Sequence, residues 1–474
     1  MQTKTTIEPS VGQPQNAGPT PKKNRGRKRA RLQPIIHPHA AGIDIGARAI
    51  CVAVPEDRAE DSVRTFRTFT ADLLALADWL VACRITSVAM ESTGNYWIPL
   101  FQILDARGLE VVLVNARHVR HVPGRKSDVL DSQWLQYLHS VGLLRASFRP
   151  AQEICAVRSL TRFRETLVAQ AADQIRHLHN AFDQMNVQLH HVLSDLSGTT
   201  GLAIVRAILA GERDPKVLAR HRDARVKASV QTIEESLRGD WRPEHLLVLK
   251  LAFASWAQVQ AQLVELEAEI TRAIRALAPK VDLAAQPLPA DRKRRSIASA
   301  RLELRAEFYR VLGTDLTAIP AVSALTAQAF VTEVGTDVDR FATAEHFASW
   351  LGLCPGTKIS GGQVLCARSR PGKPRLALAL RQSALSLLKQ HSALGARYRR
   401  LRARLGAPKA LTAMAHQLAR IMYALVKERC PYDETRFARL EEAYTRHQRT
   451  SLEKAARRLG YQLVLDPNFT ESPA

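Results

Sequence analysis

No Cys-x-x-Cys pair occurs in this sequence; its six cysteines are scattered at Cys51, Cys83, Cys155, Cys354, Cys366 and Cys430. That spacing supports neither a zinc ribbon nor thioredoxin-type chemistry, and it implies a reducing compartment, the cytoplasm. Cys51 and Cys83 sit in apolar runs and are expected to be small core residues. No uninterrupted apolar stretch reaches the ~18 residues of a membrane span. The amino terminus lacks the apolar core of a signal peptide, so no membrane partner is expected. Acids are also scarce: 45 Asp and Glu stand against 68 Lys and Arg, leaving a net charge of +23. A soluble protein this basic needs a polyanionic partner, DNA or RNA. The alternative, a generic solubilising surface charge, is disfavoured because the charge is clustered. With 474 residues and 46% hydrophobic residues, the chain is long enough for two or three cored domains.

Residues 1–38 are polar and carry Lys22, Lys23, Arg25, Arg27, Lys28, Arg29 and Arg31. They read as a disordered basic arm that tracks phosphates without reading sequence. Residues 39–148 alternate between strand and helix patterns. The run Ala41-Gly-Ile-Asp-Ile-Gly, followed by apolar Ile50, Val52 and Val54, predicts a β-hairpin with Asp44 on its first strand. A third strand is expected at 63–70, a helix at 71–83, a strand at 87–93 ending near Glu91, a helix at 97–107, a strand at 110–115 and a helix at 127–138. Residues 149–278 read as a helical, coiled-coil middle. Ala171, Ile175, Leu178, Phe182, Met185, Leu189 and Val192 form one heptad seam, and Trp256 to Leu277 form another. These seams suggest an antiparallel arm or an oligomer interface, with packing inside one subunit as the alternative. Residues 279–300 read as a flexible basic linker. Residues 301–430 form a mainly α domain with a helix-hairpin-helix-like element at 316–327, and 431–474 a carboxy-terminal tail. Arg368, Arg370, Lys373 and Arg375 follow a glycine-rich stretch. Farther on, Arg397, Arg399, Arg400, Arg402 and Arg404 are expected to crowd one helical face, a polycation suited to phosphate contacts.

A carboxylate inside a buried strand must meet a cation, a donor or a metal, because burying it unpaired is prohibitive. Asp44 could simply cap the turn at Gly46. Asp128 and Asp131, spaced i and i+3, share a helix face; there they repel unless a divalent cation lies between them, although a helix amino end also favours acids by itself. Together with Glu91 the four acids are more specific than any one. In an RNase H-like fold the first strand, the fourth strand and a late helix converge at one sheet edge. Four oxygen donors there suit Mg²⁺, and two such ions can clamp an in-line phosphoryl displacement. An acidic cluster in so basic a protein would not approach DNA without metal.

Three of these motifs, Gly-Ile-Asp44-Ile-Gly, Met-Glu91-Ser-Thr-Gly-Asn-Tyr-Trp and Lys-Ser-Asp128-Val-Leu-Asp131-Ser, resemble the transposases of the insertion-sequence 110 family. So does the carboxy-terminal run from Ile-Pro-Ala-Val through Phe-Ala-Ser-Trp-Leu-Gly-Leu-Cys-Pro to Ser360-Gly. The resemblance covers about 41–195 and 312–390. It implies a RuvC-like acidic domain paired with a transposase domain, and recombination of donor and target DNA guided by a bridge RNA. It also implies a serine nucleophile, here Ser360, in a homo-oligomer (dimer or tetramer) at the bacterial nucleoid. On its residues alone Ser360 lies in a Ser-Gly-Gly turn, and Ser369 is the nearest alternative nucleophile. A serine needs activation, which metal held by the acidic domain could supply.

Three rivals stand beside this reading. One is a RuvC-like metal-dependent nuclease or Holliday-junction resolvase in which water attacks. Another is a non-catalytic nucleic-acid-binding protein whose acids merely cap helices. The third, an actin-like ATPase opened by Asp-Ile-Gly, lacks a second glycine-bearing phosphate loop.

Overall fold

A computed structural model of the protein describes residues 34–92, 94–115, 128–288, 304–369, 372 and 374–464, and the side chains of all of these but 128–130. The basic arm from Lys22 to Arg31, together with Arg370 and Lys373, lies outside the described residues. The chain divides into two compact units, 1–149 and 150–474.

In the first unit β1 (Ala40–Ile45), β2 (Ala49–Ala53) and β3 (Val63–Arg67) form an antiparallel meander. The Gly46 N–H donates to the Ala49 carbonyl at 2.9 Å and closes the first turn. β3 stops at Arg67, short of the predicted 70, because Thr70 already begins α1 (Thr70–Ala82). Then come β4 (Ser87–Glu91), α2 (Trp97–Ala106), β5 (Glu110–Val114) and α3 (Asp128–Ser140). The strand order is β3-β2-β1-β4-β5, with β4 parallel to β1 and β5 parallel to β4. This mixed α/β sheet is consistent with an RNase H-like domain.

Strand alternation gives the sheet two different faces. Ile43, Ile45, Val88 and Met90 point to one side, where α1 and α2 supply Leu73, Leu76, Leu80, Leu100 and Leu104; all are buried in one cluster. The opposite face is lined by small residues, Ala40, Gly42 and Ala89, and there α3 lies against the strands. Gln136 Nε2 donates to the Ala40 carbonyl at 3.3 Å, and the His139 ring meets Ser87 Oγ at 2.9 Å. A Cβ added to Gly42 would come within 2.8 Å of Gln136 Cα and closer still to the Gln136 nitrogen and Ser132 oxygen. Only glycine admits the helix this near.

The second unit is mainly helical. α4 (Gln152–Gln184) is followed by α5 (Leu189–Val192), α6 (Thr199–Leu209), α7 (Pro215–Ala219), α8 (Val230–Ser236) and α9 (Pro243–Arg275). The 33-residue helices α4 and α9 run antiparallel: Arg164 pairs with Glu267 at 2.7 Å, while Leu178 and Phe182 share a cluster with Leu249 and Ala252. The seam read from Ala171 to Val192 is divided. α4 ends at Gln184, Asn186 takes a left-handed φ of 54°, and Leu189 and Val192 belong to α5. By length and composition α9 is apolar enough to cross a membrane, with mean hydropathy 1.2 over its best 18-residue window. Its apolar run is interrupted by Lys250 and by Gln and Glu residues, and Trp256, Leu263, Ile270 and Ile274 of this helix are buried.

The stretch expected to be a flexible linker begins with tied backbone, since the Lys280 and Val281 N–H groups donate to the Arg310 carbonyl. Beyond it lie α10 (Arg305–Leu312), a 3₁₀ turn at Leu316–Ala318, α11 (Ala324–Glu333) and α12 (Ala344–Trp350). Ala321 of Ile-Pro-Ala-Val takes φ 65°, a left-handed conformation that glycine adopts most readily. A hairpin of β6 (Lys358–Ser360) and β7 (Gln363–Cys366) precedes α13 (Arg375–Ser386), α14 (Ala393–Leu405), α15 (Ala407–Glu428) and α16 (Glu434–Arg458).

Candidate functional site

Asp44 and Glu91 occupy the carboxy-terminal ends of adjacent parallel strands. The register runs Gly42 opposite Ala89 and Ile43 opposite Met90. Asp44 and Glu91 are the next residues on each strand past the last of these pairs. Both side chains leave on the face that α3 covers, because they lie two residues from Gly42 and Ala89. Both are partly buried.

α3 runs against β1 in the opposite sense. Its carboxy-terminal end meets the strand starts through His139 with Ser87 and Gln136 with Ala40. Its middle touches the hairpin through Ser132, whose hydroxyl donates to Cys51 Sγ at 3.3 Å. Cys51 is the cross-strand partner of Asp44. The amino-terminal turn, with Asp128 and the exposed Asp131, is thereby directed toward the strand ends that carry Asp44 and Glu91. The sheet thus places Asp44, Glu91 and the amino end of α3 toward one end of the same face. The side chain of Asp128 lies outside the described set, and among the described residues no three His, Cys, Asp or Glu groups lie close enough together to hold a metal. The donor types fit a hard divalent cation: four carboxylates and no thiolate or imidazole.

The supporting residues escaped the sequence reading. Gly42, Ser132 and Gln136 set how closely α3 approaches, and the one available signal was a glycine inside a strand. His139, in the last turn of the same helix, is buried; desolvation, then the nearby charge of His37, lowers its pKa to about 4.

In the second unit Ser360 is the last residue of β6 and pairs with Gln363 across the turn Gly361-Gly362. Both glycines have positive φ, 55° and 77°, the geometry of a tight two-residue hairpin loop. Ser360 is exposed, and so are Arg368 and Ser369; Ser369 bridges back to Pro355 at the hairpin base. Arg375 forms an ion pair with Glu165 of α4, which ties one of the expected phosphate ligands to the scaffold. The five arginines of α14 do not act as one face. Arg399 donates to the carbonyls of Leu388 and Gln390, and Arg400 pairs with Glu441 and stacks on Tyr444 at 4.1 Å. Arg397, Arg402 and Arg404 remain exposed.

Two family models match the chain. A DEDD-type IS110 transposase model covers residues 41–187, which include all four acids, and a model described as transposase IS116/IS110/IS902 family covers residues 313–399, which include Ser360. A curated relative from Streptomyces coelicolor, described as the insertion element IS110 uncharacterized 43.6 kDa protein, is 31% identical over 161 residues, covering 34% of this chain and 39% of the relative. The match thus spans about two fifths of the length of that relative. An acidic α/β region and a separate carboxy-terminal region, each matched by its own model, together support an insertion-sequence 110 family transposase.

Proposed function

We propose that the protein is a DNA transposase that cuts and rejoins strands of an insertion sequence through Ser360, with Mg²⁺ held by Asp44, Glu91, Asp128 and Asp131, guided by a bridge RNA and acting as a dimer or tetramer. The observation that carries this reading is the placement of Asp44, Glu91 and the amino end of α3 toward one end of one sheet face. Bound Mg²⁺ would supply charge neutralisation of the phosphoryl group. The acids would hold it, and their position is set by packing: β1 and β4 place Asp44 and Glu91, and contact with Gly42 places the helix.

Ser360 supplies the chain's own bond-making atom. Its Oγ attacks the phosphorus, the Oγ proton leaves to a base, and the bond from phosphorus to a deoxyribose oxygen breaks with that oxygen taking up a proton. One phosphodiester is exchanged for another, so no energy source is required. A hydroxyl of the second strand then displaces the serine and restores it. The side-chain-free turn at Gly361-Gly362 allows a DNA backbone to approach the exposed Ser360 closely. Arg368 and Arg375, with Lys373 and Arg370 nearby in sequence, would stabilise the crowded charge of the transition state; Arg375 would first exchange its Glu165 partner for phosphate. The net charge of +23 supports DNA and RNA as simultaneous partners.

Trapping the reaction on a suicide DNA and locating the adduct by mass spectrometry tests the proposal. Ser360→Ala should lose recombination and adduct together while binding DNA and RNA normally. An adduct on another residue, or recombination by the alanine variant, overturns the assignment. Cleavage with no adduct on any residue favours attack by water.

A further inference from the structure

The β6–β7 hairpin carries more than Ser360 requires. Every residue from Thr357 to Leu365 is exposed, including Ile359 at 65%, Val364 at 60% and Leu365 at 67%. Ile359 and Val364 are cross-strand partners, so they share a face, while Ser360 and Gln363 pair on the other. A two-stranded hairpin by itself is marginally stable in water. Adjacent exposed aliphatic side chains mark a surface that something covers.

The charge around the hairpin selects the cover. From His346 to Lys427 the chain runs for 82 residues without one Asp or Glu and contains 15 Lys or Arg; Arg375, Arg400, Arg420 and Lys427 pair with acids outside the stretch, and the balance remains strongly positive. A second copy presenting the same stretch would meet like charge, whereas a polyanion meets its complement. The tip, Gly361-Gly362, has no side chains and is narrow. A two-stranded ribbon fits a DNA groove, and aliphatic side chains inserted at a base step unstack it.

We propose that the β6–β7 hairpin is a DNA wedge, in which Ile359 and Val364 press against the bases beside the phosphate that Ser360 faces and unstack that step. This rests on the reading of Ser360 as the nucleophile. The wedge supplies register and local opening of the duplex, and the surrounding cations supply sequence-independent affinity. Serine and apolar pair stand on opposite faces of one ribbon, so seating the pair against bases turns the serine toward the backbone.

The test uses full-length Ser360→Ala protein with its copurifying RNA. The probe is a synthetic duplex spanning the junction of element and flank, with 2-aminopurine placed in turn at each step near the junction. A fluorescence rise at one or two steps is expected, together with slowed hydrogen exchange across residues 355–369. Adding Ile359→Ser and Val364→Ser should abolish the rise and weaken binding about tenfold while leaving the salt slope unchanged, since no phosphate contact is lost. These side chains are on the surface, so the melting temperature should not move. No rise at any step, or a rise that survives the double substitution, overturns the wedge. Loss of self-association with fluorescence unaltered also overturns it, assigning the hairpin to a protein interface. The readout needs no cleavage: an unstacking signal without a Ser360 adduct in the native protein refutes the serine chemistry and leaves the wedge standing.

Discussion

Gly42→Ala is the most incisive perturbation of the acidic site, because it touches none of the acids. The new methyl group would lie 2.8 Å from Gln136 Cα and nearer still to backbone atoms of Ser132 and Gln136. Ordinary carbon contacts lie at about 3.5–4.0 Å, so α3 must retreat by about 1 Å. The obstacle is helix backbone rather than a flexible side-chain end, and the retreat would loosen the buried Ser132, Leu135 and His139. Overpacking of this kind costs about 1–3 kcal/mol. Removing a glycine from the unfolded ensemble offsets only about 0.4–1 kcal/mol, so net destabilisation is expected. The larger consequence is geometric. Asp128 and Asp131 ride on α3, whereas Asp44 and Glu91 stay on the strands. A displacement of about 1 Å between catalytic groups costs roughly 100-fold in rate. Melting temperature and metal-dependent strand cleavage should be measured on the same preparation. A melting temperature lowered by several degrees and cleavage reduced about 100-fold, with DNA affinity intact, would support the reasoning. Unchanged cleavage would refute it, since α3 would then be free to move without consequence for the acids.

Asp44→Asn should abolish strand cleavage while sparing DNA and RNA binding, and EDTA should do the same to the native protein; cleavage that persists in EDTA removes the case for a metal. Deleting residues 1–38 should weaken nucleic-acid binding and flatten its salt dependence, measured by titration at several salt concentrations, because phosphate contacts of the arm are lost. An unchanged slope would show that the arm touches no nucleic acid. His139 is buried and neutral, with its folded pKa lowered to about 4 from the ordinary 6.5. Between those values the unfolded chain binds more protons, so stability is full above pH 6.5 and falls as pH drops toward 4, by about 3 kcal/mol in all. Melting curves across this range should show the loss, and His139→Gln should flatten it.

The strands of the first unit were legible because each states its burial in its own residues. The alternation around Asp44, the apolar run ending at Glu91 and the run at 110–114 each specify a strand locally, and Gly46 specifies the turn between the first two. The acids were legible for a related reason: a carboxylate beside buried aliphatic residues demands an explanation. The net charge, likewise, is a property of composition alone. What the tertiary structure decided is how these pieces face one another. That Asp44 and Glu91 share a sheet face depends on the register of β1 with β4, and register is a pairing between segments far apart in sequence. That the amino end of α3 lies toward them depends on Gly42, whose missing side chain says nothing until a helix is known to cross it. The arginines of α14 look alike in sequence, but Arg399 and Arg400 are engaged by groups elsewhere in the chain. The seam through Leu189 and Val192 continues the heptad spacing, yet Asn186 turns the backbone before it is reached. Local pattern sets which segments form and which side chains need a partner; which partner they meet is settled only when distant segments pack.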